Sequence, residues 1–179
     1  RADPCTDAFH DKLAMRVTKA IKAEQLRILK ETYPNAKPAL HFNSPFELLI
    51  AVILSAQCTD VRVNIVTERL FLKANTPEAI AALSQEELET AIHDCGFFRM
   101  KAKHILETCD IILQQYGGEV PADFAALQKL PGVGRKTANV VMSVAFHEPA
   151  IAVDTHVFRV SNRLHLAIGK TPLEVEKGL

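Results

Sequence analysis

Along most of the chain apolar residues recur every three or four positions, the period of a helix with one buried face, and the strict alternation of a strand is missing. The spacing predicts a long amphipathic helix over 98–116, with Ile105, Leu106, Cys109, Ile112 and Leu113 on the buried side and Gly117-Gly118 as its stop. Residues 48–54 are apolar without interruption, so a buried helix is expected there. Just ahead, Ser44-Pro45-Phe46-Glu47 supplies a capping hydroxyl, a proline at the first helical position and an acid three residues past the cap. The same grammar recurs at Ser84-Gln85-Glu86-Glu87 and Thr171-Pro172-Leu173-Glu174, while Thr76-Pro77 gives cap and proline. Asp60 is expected to cap a helix over 61–73, and Gly96 to follow another. A first helix at about Asp11 to Tyr33 is set apart by Pro34-Asn35-Ala36-Lys37-Pro38. The pattern predicts about ten helices and no strand, an all-α fold.

At 179 residues the chain can form one ordinary domain, or two small interleaved ones, around a sizeable core. Connections are short, and no repeat, low-complexity tract or flexible linker divides it. With 48% apolar and 23% charged residues, disordered and fibrous classes are excluded. The unbroken apolar runs fall well short of the roughly 20 residues that a bilayer-spanning helix needs. The first ten residues carry acids and lack a basic start with an apolar stretch behind it, so no secretory signal is read. A cytoplasmic chain without membrane contact is expected.

Twenty-one basic residues balance 21 acidic ones, so any attraction to nucleic acid must be local. From Glu78 to Asp94 there are five acids and no Lys or Arg, whereas from Gln128 to Lys170 six basic residues (Lys129, Arg135, Lys136, Arg159, Arg163, Lys170) accompany two acids. The asymmetry points to the C-terminal third, although a charge cluster alone is usually a solvated face. Cys5, Cys58, Cys95 and Cys109 form no Cys-x-x-Cys pair and have no His at zinc-ligand spacing. They read as reduced structural thiols, and no metal site is expected.

The most informative stretch is Leu127-Gln128-Lys129-Leu130-Pro131-Gly132-Val133-Gly134-Arg135-Lys136-Thr137-Ala138, which reads as helix, tight hairpin, helix. Gly132 and Gly134 tolerate positive φ and let a second chain approach closely. Amides at the start of the next helix, with its positive dipole end, suit a phosphate of a nucleic-acid backbone and read no base sequence. DNA contacts are therefore expected from Gly132, Val133, Gly134, Arg135 and Thr137; the bland alternative is a turn between packed helices. Lys136 falls in the first turn of that helix, where the dipole and partial burial would push its pKa below the usual value of about 10.4, and a neutral lysine is a nucleophile. Asp154, in Ala152-Val153-Asp154-Thr155-His156, stands at the mouth of a further helix. It can be a helix cap and also a fixed carboxylate that takes a proton from Lys136 or stabilises a cationic sugar. His156 reads either as a pocket or phosphate contact or as a structural histidine.

Leu130-Pro131-Gly132-Val133-Gly134-Arg135-Lys136-Thr137-Ala138, followed by Val153-Asp154-Thr155-His156-Val157-Phe158-Arg159-Val160, resembles the helix-hairpin-helix DNA glycosylase family. Ser44-Pro45-Phe46-Glu47-Leu48-Leu49, Leu54-Ser55-Ala56-Gln57 and Thr59-Asp60 extend the resemblance over nearly all of the chain after Lys22. It implies a base-excision-repair glycosylase with AP lyase activity that removes oxidised pyrimidines from double-stranded DNA, acts at abasic sites by β-elimination, and works as a monomer. In that reading Lys136 is the nucleophile and Asp154 its partner. Gln57 fills the gap left by a flipped base, and Phe97, where relatives usually carry leucine, is an apolar wedge opposite the lesion. The runners-up are an adenine- or mismatch-specific glycosylase of the same fold, which typically lacks the lysine, and a non-catalytic hairpin module that only grips DNA.

The resemblance also implies two lobes: a helical barrel-like lobe over 37–120, and a discontinuous helix-hairpin-helix lobe from 1–36 with 121–179. Relatives continue into a loop whose four cysteines hold a [4Fe-4S] cluster, and none of these cysteines follows Asp154 here. The chain is expected to be a trimmed form with that C-terminal loop missing, binding no cluster itself, the cluster belonging to a longer form that extends past Leu179.

Overall fold

The computed structural model describes residues 17–179. Among them are ten helices and no strand, as the periodicity predicts, and no helix is long and apolar enough to cross a membrane. Contacts gather the described residues into two compact units, Lys37–Asp154 in one and residues 17–36 with Thr155–Leu179 in the other.

The larger unit is built around α2 (Pro45–Ser55), whose residues Phe46 to Leu54 are all buried. Its start follows the expected grammar. Ser44 Oγ accepts the Glu47 amide at 3.1 Å, Pro45 takes the first turn, and the buried Glu47 carboxylate accepts the Asn43 amide at 2.6 Å. Because α2 is apolar all round it needs neighbours on every side, and α3 (Asp60–Phe71), α6 (Phe98–Tyr116) and α8 (Arg135–Ala145) pack on it. The short α4 (Pro77–Ala81) and α5 (Gln85–Ala91) pack on α6, with Thr76 capping one and a Ser84/Glu87 capping box starting the other. Gly117, at φ +61°, ends α6 where the glycine pair predicts. The short α7 (Phe124–Leu127) leads into the hairpin and packs on α8.

The smaller unit holds α1 (Lys19–Thr32), α9 (Thr155–Arg163) and α10 (Pro172–Gly178). α9 and α10 pack together over Val175, and Gln25 Nε2 on α1 donates to the Leu164 carbonyl at 2.9 Å. No side chain of α1 is buried.

Three expectations are corrected. The helix expected from Asp11 begins at Lys19 within the described residues, because Thr18 is extended and its hydroxyl accepts the Ile21 amide at 3.3 Å; residues 11–16 lie outside the described part. Thr59, not Asp60, caps α3, and Asp60 is its first helical residue, favoured there by the positive end of the helix. Gly96 stands several turn residues beyond the end of α5 at Ala91. Packing of α8 on α2 groups residues 121–154 with the middle of the chain.

Candidate active site and nucleic-acid interface

The hairpin is closed from inside. Leu127, Leu130 and Val133 point into the core, and the Val133 amide donates to the Leu130 carbonyl at 3.1 Å. Val133 therefore serves the turn as an apolar anchor, with side chain and amide both spent within the protein. Gly132, at φ +77°, makes the reversal. A Cβ there would come within 3.3 Å of the His104 side chain, so both backbone and space call for glycine.

Gly134 is different from what the sequence suggests: its φ is −86°, and it acts as the N-cap of α8. No side chain caps this helix end, and the first intrahelical bond runs from the Ala138 amide to the Gly134 carbonyl at 2.9 Å. The amides of Lys136 and Thr137 precede that bond, at the positive end of an 11-residue helix. A Cβ at Gly134 would meet nothing within 4 Å, so a bulky strand can lie against the backbone. Lys129, Arg135 and Lys136, all exposed, flank this point along the chain, with the Arg135 guanidinium 5.0 Å above the Phe124 ring.

These two glycines give opposed expectations. Gly132→Ala should lose about 1–2 kcal/mol of stability through the left-handed strain. Gly134→Ala should stay within about 0.5 kcal/mol, because its backbone is ordinary and its surroundings open. Both should weaken binding to a DNA duplex. Urea denaturation with a fluorescence-anisotropy titration on each variant checks this; equal stability losses would mean that Gly134 is held by internal packing.

Lys136 is the second residue of α8 and is exposed, so the partial burial expected of it does not occur. Asp154 directly precedes α9 and is half-buried, beyond the buried Val153. His156, on α9, lies in the smaller unit, where its Nδ1 is 3.2 Å from Arg159 Nη2.

Gln57 and Phe97 come together with the hairpin. With Ile53, Ala56, Met100, Lys101, His104 and Gly132 they line one open cavity of about 250 Å³. Both are exposed and both adopt left-handed backbone, at φ +53° and +59°, conformations that non-glycine residues rarely hold without support. Phe97, 61% exposed, is the N-cap residue of α6 and has no capping side chain to offer, so its ring stands clear of the core.

Sequence reasoning missed the support beneath them. Lys101, His104 and Thr108 fall three and four residues apart on α6, on one stripe of the helix. Lys101 Nζ donates to the carbonyls of Leu54 at 2.8 Å and Ala56 at 2.7 Å, next to Gln57. His104 rests against Gly132, and the buried Thr108 hydroxyl donates to the Pro131 carbonyl at 3.0 Å. A polar stripe on an amphipathic helix ordinarily reads as its solvent side; only the spacing was available as a signal.

The profile of the "HhH-GPD superfamily base excision DNA repair protein" family matches residues 50–179. Endonuclease III of Escherichia coli (strain K12) is 53% identical over 163 residues, 91% of this chain and 77% of that protein. The chain belongs to the HhH-GPD superfamily of base excision DNA repair proteins. A solved non-covalent endonuclease III–DNA complex aligns with a TM-score of 0.84 at 52% identity, over 90% of this chain and 76% of that one. A trapped endonuclease III–DNA covalent intermediate aligns with a TM-score of 0.81 at 53% identity, over 87% and 76%. The all-α HhH-GPD fold and the enzyme class expected from the motifs are thereby shown: this HhH-GPD member is a DNA glycosylase with AP lyase activity.

The iron-sulfur cluster of the resemblance does not fit the thiols described here. Among the described residues no three His, Cys, Asp or Glu side chains are grouped to hold a metal ion. Cys95 and Cys109 are buried, and burial first, with neighbouring Cys58 for the one and Asp110 for the other, pushes both thiols up to about 12, opposite to what a ligating thiolate requires. Cys5 lies outside the described residues. Both buried thiols should survive iodoacetamide at pH 8 on the native protein, with peptide mass spectrometry as the readout; rapid labelling of either would contradict their burial.

Proposed function

We propose that Lys136 is the nucleophile, with Asp154 as its partner, in the excision of oxidised pyrimidines from duplex DNA and cleavage at the resulting abasic site. The observation that carries this is the position of Lys136: an exposed amine in the first turn of α8, two residues beyond Gly134, the N-cap of a helix end that no side chain caps. A strand gripped through its phosphate at that helix end presents its sugar to the amine. The solved covalent endonuclease III–DNA intermediate supports the reading.

The damaged nucleotide is swung out of the duplex at a cost of a few kcal/mol, smaller for a poorly stacked lesion. Gln57 takes the vacated place and Phe97 enters the stack opposite. The phenyl ring is broad and flat, so it spreads the neighbouring bases over a wide face. The Lys136 amine bonds to C1′ of the deoxyribose, the bond from C1′ to the base breaks with its electrons going to the base, and the base leaves as an anion that takes a proton from water. Asp154 stabilises the positive sugar and receives the proton the amine sheds. Opening of the sugar ring gives an iminium between C1′ and Nζ. It acidifies C2′, and loss of that proton expels the 3′ phosphate and cuts the strand. Water then releases the lysine.

Any [4Fe-4S] cluster draws its ligands from residues other than Cys58, Cys95 and Cys109. The chain acts as a monomer in the compartment that holds its DNA. Reduction with borohydride during reaction on a thymine-glycol duplex tests the reading: a covalent protein–DNA adduct mapping to Lys136 is expected, and an adduct at another residue would refute the assignment.

A further inference from the structure

The apolar helix α2 has a problem at its C-terminal end. Its residues up to Leu54 are buried, it has no basic residue in its last turn, and its final carbonyls carry the negative end of the helix dipole. Two of these groups are met locally, since the Ser55 hydroxyl donates to the Val52 carbonyl at 2.8 Å and the Cys58 amide to the Ser55 carbonyl at 3.1 Å. The carbonyls of Leu54 and Ala56 are met from another helix, by the ammonium of Lys101. Lys101 is only 5% exposed, and burial lowers its pKa, so holding a cation here is costly. A buried charge in this position calls for a reason beyond packing.

The reason lies one residue on. The Ala56 carbonyl bonded by Lys101 belongs to the peptide group whose nitrogen is that of Gln57, the residue held at φ +53°. On the other side, Gly96 backs onto the Gln57 carbonyl, which would lie 3.5 Å from a Cβ at that glycine. Gln57 is therefore held through its preceding peptide by α6, whose N-cap residue is Phe97, while the turn before that helix lies close to its carbonyl. Released from Lys101, Gln57 would relax toward the right-handed or extended region, where its side chain leaves the cavity rim.

We propose that Lys101 is a positioning residue for excision, holding Gln57 in its left-handed turn so that the amide side chain is presented to the gap in the base stack before DNA arrives. The inference rests on the role of Gln57 proposed above. Lys101 touches no reacting atom in this reading. Its effect is to keep the competent arrangement the populated one, and its loss lowers the effective rate by the fraction of molecules that still hold that arrangement.

The test is a double-variant cycle on the full chain with Lys101→Met, which keeps length and apolar bulk and removes the donors, and Gln57→Ala. Single-turnover excision from a thymine-glycol duplex is measured, with 2-aminopurine opposite the lesion reporting how the gap is filled. Lys101→Met should slow excision by about tenfold, shift the 2-aminopurine signal to that of Gln57→Ala, and still give the borohydride adduct at Lys136. Combined with Gln57→Ala it should add no more than about twofold. Wild-type rates in Lys101→Met, or its full penalty persisting in the Gln57→Ala background, would overturn the proposal and leave Gln57 untouched. Wild-type behaviour of Gln57→Ala would instead remove the gap-filling role, and the proposal with it. If thermal melting shows Lys101→Met unfolded, Lys101→Gln, with a shorter neutral donor, goes through the same cycle under the same criteria.

Discussion

Lys136→Gln will give no borohydride-stable adduct with a thymine-glycol duplex, and base excision and strand cleavage will each fall by on the order of 10⁴-fold or more. The size follows from chemistry, because glutamine offers no amine to form the iminium and nothing else in the proposed sequence of steps replaces it. Binding of undamaged duplex should change little by comparison, because the amides at the start of α8 and the Gly134 gap remain. Asp154→Asn should behave differently, slowing excision by about 10²–10⁴-fold while still allowing a trapped adduct at long times. Single-turnover kinetics and gel-resolved trapping on the two variants separate these roles. An undiminished adduct in Lys136→Gln would transfer the chemistry to another amine.

Leu49→Ala should cost about 3 kcal/mol, the usual penalty for emptying a fully buried leucine site, and lower Tm by about 6–12 °C. Leu49 is 0% exposed at the middle of α2, the helix on which α3, α6 and α8 all pack. The same change at Leu72, 89% exposed beyond the end of α3, should cost almost nothing. Thermal melts of the two variants check the contrast, and similar losses would deny α2 its central place.

Much of the fold was legible because its signals are local. Capping hydroxyls, first-turn prolines and the glycine pair after Tyr116 act within a few residues of themselves, and those starts and stops appear in the structure. Where two capping residues stand side by side, as at Thr59 and Asp60, the outcome hangs on register, which the flanking sequence does not decide. The hairpin was legible as a glycine motif, yet its two glycines divide the work, one by conformation and the other by leaving room. That division depends on His104, 28 residues before Gly132 in the chain, and no local pattern carries it. The bracket formed by Lys101, His104 and Thr108 was hidden for the same reason: its meaning comes from carbonyls and a glycine on other elements.

Glycine at positions 57 and 97 would adopt the observed backbone at no steric cost, and each replacement would spare the native state on the order of 1 kcal/mol. The chain carries instead a glutamine and a phenylalanine, side chains of reach and bulk, in the conformations least suited to them. In the role proposed for these two side chains, the rim of that cavity trades thermal robustness for readiness to enter a disturbed double helix.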